Sequence, residues 1–166
     1  MAQNRIIGLE YMPANQLLAN PLNARRHPAK QREALRGSLD TLGYYDAVIM
    51  NQRTGYLIDG HARVEEQLTA DENATMPVLV VDMSEEEEAQ ALASHDWITQ
   101  LAVYDNETLD ALLRETNSDD ERVQAMLAEM AGQLGALDDV TQPTATDGTV
   151  NDSHVCPTCG TALTTS

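Results

Sequence analysis

Aromatic side chains are scarce in this chain: one Trp, five Tyr and no Phe in 166 residues. Any core must therefore be aliphatic, and a hydrophobic fraction of 42% is enough to build one, which excludes disorder throughout. Cysteine is nearly absent. Cys156 and Cys159 sit together near the tail and offer no disulfide framework. No apolar run approaches the roughly 18 residues that span a bilayer. The start, Met1-Ala2-Gln3-Asn4-Arg5, lacks the apolar stretch of a signal peptide. A soluble, cytoplasmic protein is the expectation. Positive charge is also short: 10 Lys and Arg, with Lys30 the single lysine, against 27 Asp and Glu, for a net −17. A coat of that sign repels phosphate, so weak direct DNA binding and no membrane attachment are expected.

The charge is uneven. Residues 1–64 hold eight basic groups and five acidic ones, whereas residues 65–166 hold only Arg114 and Arg122 against 22 acids. This reads either as a solvated acidic surface or as an anion site in the first third with acidic helices behind it.

Hydrophobic spacing gives the elements. Arg5–Glu10 reads as a first strand. Pro28 suits the first turn of a helix; Leu35, Leu39 and Leu42 form its stripe, and Gly43 ends it. Val48-Ile49-Met50 and Tyr56-Leu57-Ile58, joined by a loop closed at Gly55, read as a hairpin. A helix runs from His61 to Leu68 with Val64 and Leu68 inward, followed by the β-branched strand Val78–Val81. Beyond Asp82 the pattern is helical. Ser84 and Glu87 form a capping box, with Glu85–Glu88 as first-turn carboxylates facing a helix N-terminus. Leu109, Leu112 and Leu113 mark another helix. A second box, Ser118 with Glu121, opens a helix striped by Val123, Met126, Leu127, Met130 and Leu134. His95 and Trp97 pack or sit at a helix surface.

Two segments carry candidate chemistry. In Ile58-Asp59-Gly60-His61-Ala62-Arg63 a strand turns into a helix. Gly60 lets a backbone approach a ligand, and the first-turn N–H groups are free for an anion. Arg63, one turn in, adds a forked donor, and Asp59 can orient a ribose hydroxyl or a nearby arginine. Asn23-Ala24-Arg25-Arg26-His27 supplies further donors ahead of the preceding helix, with His27 closing that box. The plain alternative to the Gly-x-x-Arg reading is a tight turn with a surface arginine. His61 has two readings: a general base or phosphate donor near pH 7, or a capping histidine that shapes the pocket.

The order and wording of NPLNARRHP, the helix ending at Gly43, VIM, LIDGHAR and MPVLVVDMSEEE resemble the ParB/sulfiredoxin superfamily. The likeness is to the stand-alone ParB-like proteins of phages, plasmids and prophages, often labelled ParB-like nucleases, and spans roughly residues 5–100. It implies a compact α+β fold, a mixed sheet with helices, holding a nucleotide pocket. The family's phosphate contacts fall on Gly60 and Arg63 and on Asn23 and Arg25. With Arg26, Asp59 and His61 these form the expected site for a nucleoside triphosphate with Mg²⁺. The chain departs from the family in instructive ways. Segregation ParB proteins usually have an acidic residue after the glycine, where His61 stands here. Sulfiredoxins use a Gly-Cys-His-Arg cysteine that is missing, which excludes sulfinic-acid repair. No helix-turn-helix DNA reader is apparent.

The expected organisation is a ParB-like nucleotide-binding domain over residues 1–100, implied by the resemblance, and a helical extension over 101–135, read from the spacing of its apolar residues. An acidic flexible linker is expected over 136–153 and half a zinc ribbon over 154–166. In that tail Cys156 and Cys159 are candidate Zn²⁺ ligands and His154 a third; a metal-free relic is the alternative. Two tails pooling their cysteines would give a homodimer. The functional expectation is a nucleotide-binding protein of phage or plasmid DNA metabolism in a prokaryotic host, with NTPase or nuclease-type activity left open. No carboxylate cluster suited to two catalytic metals is visible. The alternatives are an adaptor that docks a DNA-processing protein through its acidic helices and zinc knuckle, and an acidic DNA mimic.

Overall fold

The computed structural model describes residues 3–140, with side-chain surroundings as far as Leu134. His154, Cys156, Cys159 and most of the expected linker lie outside the described residues.

The chain opens with β1 (Ile6–Pro13), which starts one residue later and ends three residues later than the expected Arg5–Glu10, and a single helical turn at Ala14–Gln16. α1 (Ala29–Leu42), β2 (Val48–Asn51), β3 (Leu57–Asp59), α2 (His61–Ala70) and β4 (Thr75–Val81) follow. Three helices complete it: α3 (Glu85–Gln100), α4 (Asn106–Glu115) and α5 (Glu121–Val140). The four strands form one mixed sheet in the order β1-β4-β2-β3. β1 and β4 are antiparallel, β2 and β3 form the expected hairpin, and β2 and β4 run parallel. Pro77 is tolerated in the central strand because it lies one residue ahead of the stretch that pairs with β2, which begins at Val78.

The core is aliphatic, as the missing Phe requires: Leu57, Met76, Val48 and Val78 are its largest fully buried apolar side chains, joined by Ala14, Leu17 and Val64. Leu68 departs from expectation and is 42% exposed. Glu66, two residues from Val64 and so on another side of α2, is buried against α1, where Arg32 and Arg36 grip its carboxylate. Burial alone would raise the Glu66 pKa, but the two guanidiniums outweigh it and hold the group below the usual carboxylate range.

The helix signals hold with small corrections. Pro28 stands at the N-cap of α1, just ahead of its first turn, and Gly43 is the C-cap with φ 71°. Ser84 and Glu87 complete the capping box of α3. At the start of α5 Asp120, rather than Ser118, does the capping: its Oδ1 accepts from the N–H of Arg122 at 2.9 Å and of Val123 at 3.3 Å. An aspartate beside the helix start is closer to those free N–H groups than a serine two residues upstream. Arg122 holds the Asp120 carboxyl down at about 2. α5 continues to Val140, so the first residues of the expected linker are helical.

α5 packs on α1 at Gly37. A Cβ there would stand 2.7 Å from Asp120 Oδ1 and 3.1 Å from Val123 Cγ2, so a larger residue would push the Asp120 carboxylate off its capping position. Arg122 bridges to Asp40 of α1 at 2.6 Å. This docking carries Met126 to the mouth of the cavity described next. No described helix is long and apolar enough to cross a membrane.

Candidate functional site

The site begins at the β3–α2 turn. β3 begins with the buried Leu57-Ile58 pair, which anchors the strand and delivers Asp59, its last residue, and Gly60 to the site. Gly60 has φ 90° and ψ 14°, in the left-handed region. A Cβ at this position would stand 2.8 Å from Val48 Cβ and 3.1 Å from Val48 Cα. Two independent constraints thus demand glycine: the dihedral and the closeness of β2. α2 begins at the next residue, so the N–H groups of its first turn have no intrahelical partner and point into the neighbouring space with the positive end of the helix dipole.

That space is a cavity of about 320 Å³, at the small end of the range for small-molecule sites. Asp59, Gly60, His61, Ala62 and Arg63 form one wall. Arg25 and His27 come from the loop before α1, Gln31, Ala34, Leu35 and Ser38 from α1 itself, and Met126 from α5, with Tyr45 at the edge. Five of the seven nucleotide-site residues expected from sequence meet here: Arg25, Asp59, Gly60, His61 and Arg63. Asn23 and Arg26 do not. Asn23 folds back on its own loop, its Oδ1 accepting the Arg25 N–H at 3.1 Å, and lines a separate cleft against α3. Arg26 is exposed.

The cavity's two arginines are held by carboxylates. Arg25 Nη1 lies 3.4 Å from Asp59 and its Nη2 on Asp96 of α3. Arg63 pairs with Asp46, donates to Ala47 O at 3.3 Å and stands 3.6 Å from Asp59. Asp59 therefore sits between both guanidiniums. Among the described residues, Arg26 is the one arginine or lysine without a carboxylate partner.

His61 is 5% exposed, and its Nε2 accepts the backbone N–H of Asn20 at 3.2 Å. The ring is then neutral with its proton on Nδ1. Burial pushes its pKa below the ordinary value; Asp59 opposes that shift and Arg25 adds to it. The lone pair a general base would use is engaged in holding the loop. His27 is different. Its Nδ1 pairs with Gln31 Oε1 at 3.2 Å, while its Nε2 is buried without a partner.

Sequence reasoning missed the network that braces this wall. Glu88 is the one first-turn carboxylate of α3 that turns inward, 6% exposed. It accepts from Asn20 Nδ2 at 2.8 Å, Asn51 Nδ2 at 2.6 Å and Thr54 Oγ1 at 2.5 Å. Asn20 also accepts the Leu22 N–H at 2.9 Å, and Asn51 exchanges bonds with the Met83 backbone. A chain of bonds thus runs from His61 through Asn20 to Glu88 and the β2–β3 loop. The available signal was faint: Glu88 falls one residue past the capping box, on the inward side of α3.

The candidate metal ligands on the tail lie outside the described residues. Within them, Asp59, His95 and Asp96 bring potential ligand atoms within 4.8 Å of one another, but the Arg25 guanidinium already occupies both carboxylates.

The fold is similar to that of solved structures. The C-terminally truncated chromosome-partitioning protein ParB from Caulobacter crescentus, solved with CTP-gamma-S, superposes with a TM-score of 0.56. Sequence identity is 16%, over 81% of this chain and 93% of that one. Two structures of a pNOB8-like ParB N-domain align with TM-scores of 0.47 and 0.48 at 17% and 16% identity. They cover 81% and 98% of this chain and 49% and 56% of theirs. No protein-family model and no curated protein matches the chain. The architecture, a four-stranded mixed sheet with five helices, is a ParB-like α+β fold.

Proposed function

We propose that the chain binds a nucleoside triphosphate in the cavity between α1, the β3–α2 turn and α5, as a ParB-like protein of phage or plasmid DNA metabolism. The observation that carries this reading is the convergence, in one cavity, of a glycine-led helix N-terminus with Arg25 and Arg63. That the similar Caulobacter ParB structure holds CTP-gamma-S supports the same ligand class.

The residues suit such a ligand. Phosphate oxygens meet the free N–H groups of the first turn of α2, where Gly60 removes the side chain that would crowd them. Arg63 supplies a forked donor once Asp46 yields. Asp46 is largely exposed, and an exposed ion pair is worth only about 0–1 kcal/mol, so a polyphosphate displaces it at small cost. Mg²⁺ bound to the polyphosphate would offset the nearby Asp59 and Asp96 carboxylates. With Nδ1 donating to Gln31, His27 Nε2 is an acceptor, suited to a ribose hydroxyl or a base amino group rather than to phosphate. His61 acts as a positioning residue: through Asn20 it fixes the loop that carries Arg25. Binding, rather than turnover, is the activity this arrangement supports.

The test is a thermal-shift screen of ATP, CTP, GTP and UTP with and without Mg²⁺. A triphosphate at about 100 Kd stabilises by roughly 2.7 kcal/mol. Arg25→Ala and Arg63→Ala, each weakening binding by about tenfold or more, should cut the shift by about half or more at the same dose, and the exposed Arg26→Ala should keep it. Failure of every nucleotide to raise the melting temperature would overturn the reading.

A further inference from the structure

The chain's single Trp stands on its surface. No aromatic side chain belongs to the described core, yet Trp97 and Tyr104 flank the junction of α3 and α4, 65% and 73% exposed. Trp97 and Leu101 lie one helical turn apart and so share a face of α3. The Leu101 N–H closes that helix on Trp97 O at 3.1 Å. Val103 and Tyr104 follow in the short connection before Asp105, the N-cap of α4. Ile98, Leu101 and Val103 are each more than half exposed, Val103 at 93%. α3 leans on β3 and α4 on α5, and among the described residues α4 has none that is buried. The apolar surface continues into a groove of about 370 Å³ lined by Val103, Tyr104, Leu109, Met130 and Leu134. A continuous apolar surface of this kind marks an interaction site, and Trp and Tyr are enriched among the residues that anchor one.

We propose that this surface docks a basic, apolar segment of a partner protein, with aliphatic side chains in the groove and lysines or arginines facing the carboxylates around it. Charge selects the occupant. From Leu101 to Glu115 four acids stand against Arg114 alone, and Asp110 already holds Arg114 at 2.6 Å. Asn106 lines the groove. Its neighbours Asp105 and Glu107 take part in no ion pair among the described residues. Their field attracts a cationic segment and steers it to the patch. It repels nucleic acid and anionic membrane, and a second copy of the chain would bring the same carboxylates with it. The apolar contact supplies the hold, and the charge chooses the partner. This surface is independent of the nucleotide reading and uses none of its residues.

Trp97 is the only Trp of the full chain, so its emission reads occupancy of the patch directly. The probe is a synthetic helical peptide of Leu and Lys, free of aromatic residues, with its leucines on one face. Two controls keep its length, one with Glu in place of Lys and one with Ser in place of Leu. The Leu/Lys peptide should shift Trp97 emission to the blue and saturate at one peptide per chain; neither control should. Tyr104→Ser should weaken binding by about tenfold or more, and Glu107→Lys should weaken it as well. Leu9→Ser, at an exposed leucine of β1 outside the patch, should leave it unchanged. All three side chains are exposed, so circular dichroism should show the variants folded. An unchanged Trp97 emission, equal binding of either control peptide, or equal affinity in Tyr104→Ser and Leu9→Ser would overturn the proposal. So would a blue shift on concentrating the chain alone, which would assign the patch to a second copy.

Discussion

Replacing Gly60 with alanine tests the pocket's architecture at its tightest point. Two costs add. A non-glycine residue in the left-handed region costs about 1–2 kcal/mol, and φ is 90° here. The new Cβ would also stand 2.8 Å from Val48 Cβ, and Val48 is fully buried with nowhere to move; overpacking of this kind costs about 1–3 kcal/mol. Gly60→Ala should therefore lose roughly 2–5 kcal/mol. Gly55 provides the control. It has φ 74° but nothing within 4 Å of its would-be Cβ, so Gly55→Ala should lose only the dihedral share, about 1–2 kcal/mol. The difference between the two isolates the contact with Val48. Adding Val48→Ala should relieve part of it, so the double variant loses about 1 kcal/mol less than the sum of the singles. Urea unfolding followed by far-UV circular dichroism measures all four. If Gly60→Ala loses no more than Gly55→Ala, β2 does not press on this turn and the account of the turn is wrong.

Three further outcomes follow from the geometry. Glu88→Ala strips the acceptor from Asn20, Asn51 and Thr54; unsatisfied buried donors cost about 1–3 kcal/mol each, so denaturant titration should show a loss of roughly 3 kcal/mol or more, and a loss under 1 kcal/mol would remove Glu88 from the frame. The pKa of His61 is lowered on folding, so the folded chain binds fewer protons than the unfolded one. Its share of stability is present above the ordinary value of about 6.5 and is lost as pH falls through the folded value. Melting curves from pH 7.5 to 5 should show that decline in the wild type and a flatter profile in His61→Gln, with identical profiles counting against a buried neutral imidazole. Because nearly every described basic group is already paired with a carboxylate, fluorescence anisotropy at about 150 mM salt should find only weak affinity for random duplex DNA. Sub-micromolar binding would contradict this.

Much of the frame was legible in the sequence because its signals are local. The β-branched run at Val78–Val81, the hairpin around Gly55, Gly43 at a helix end and the Ser84–Glu87 box each depend on neighbours within a few residues. Gly60 and Arg63 were legible for the same reason. Burial of polar groups was not, since it depends on what the fold brings from elsewhere. Glu66 is buried on α2 because Arg32 and Arg36 arrive from a separate helix to pair with it. Glu88 looked like one more first-turn carboxylate until Asn20, Asn51 and Thr54 surrounded it. The Asn23–His27 segment was read as one box. The turn at Asn23 divides it, sending Arg25 and His27 into the cavity and leaving Arg26 in solvent.

The most direct measurement is isothermal titration of the best-stabilising nucleoside triphosphate, with Mg²⁺, into the wild-type chain and Arg63→Ala. Arg63 bonds Asp46, Asp59 and the Ala47 carbonyl at the cavity wall, so circular dichroism first establishes that Arg63→Ala is folded. The account predicts one site per chain in the wild type and an affinity lower by at least about tenfold in Arg63→Ala, the equivalent of roughly 1.4 kcal/mol from one charge-assisted forked contact. Equal affinity in the two proteins, or no heat of binding in either, would contradict it.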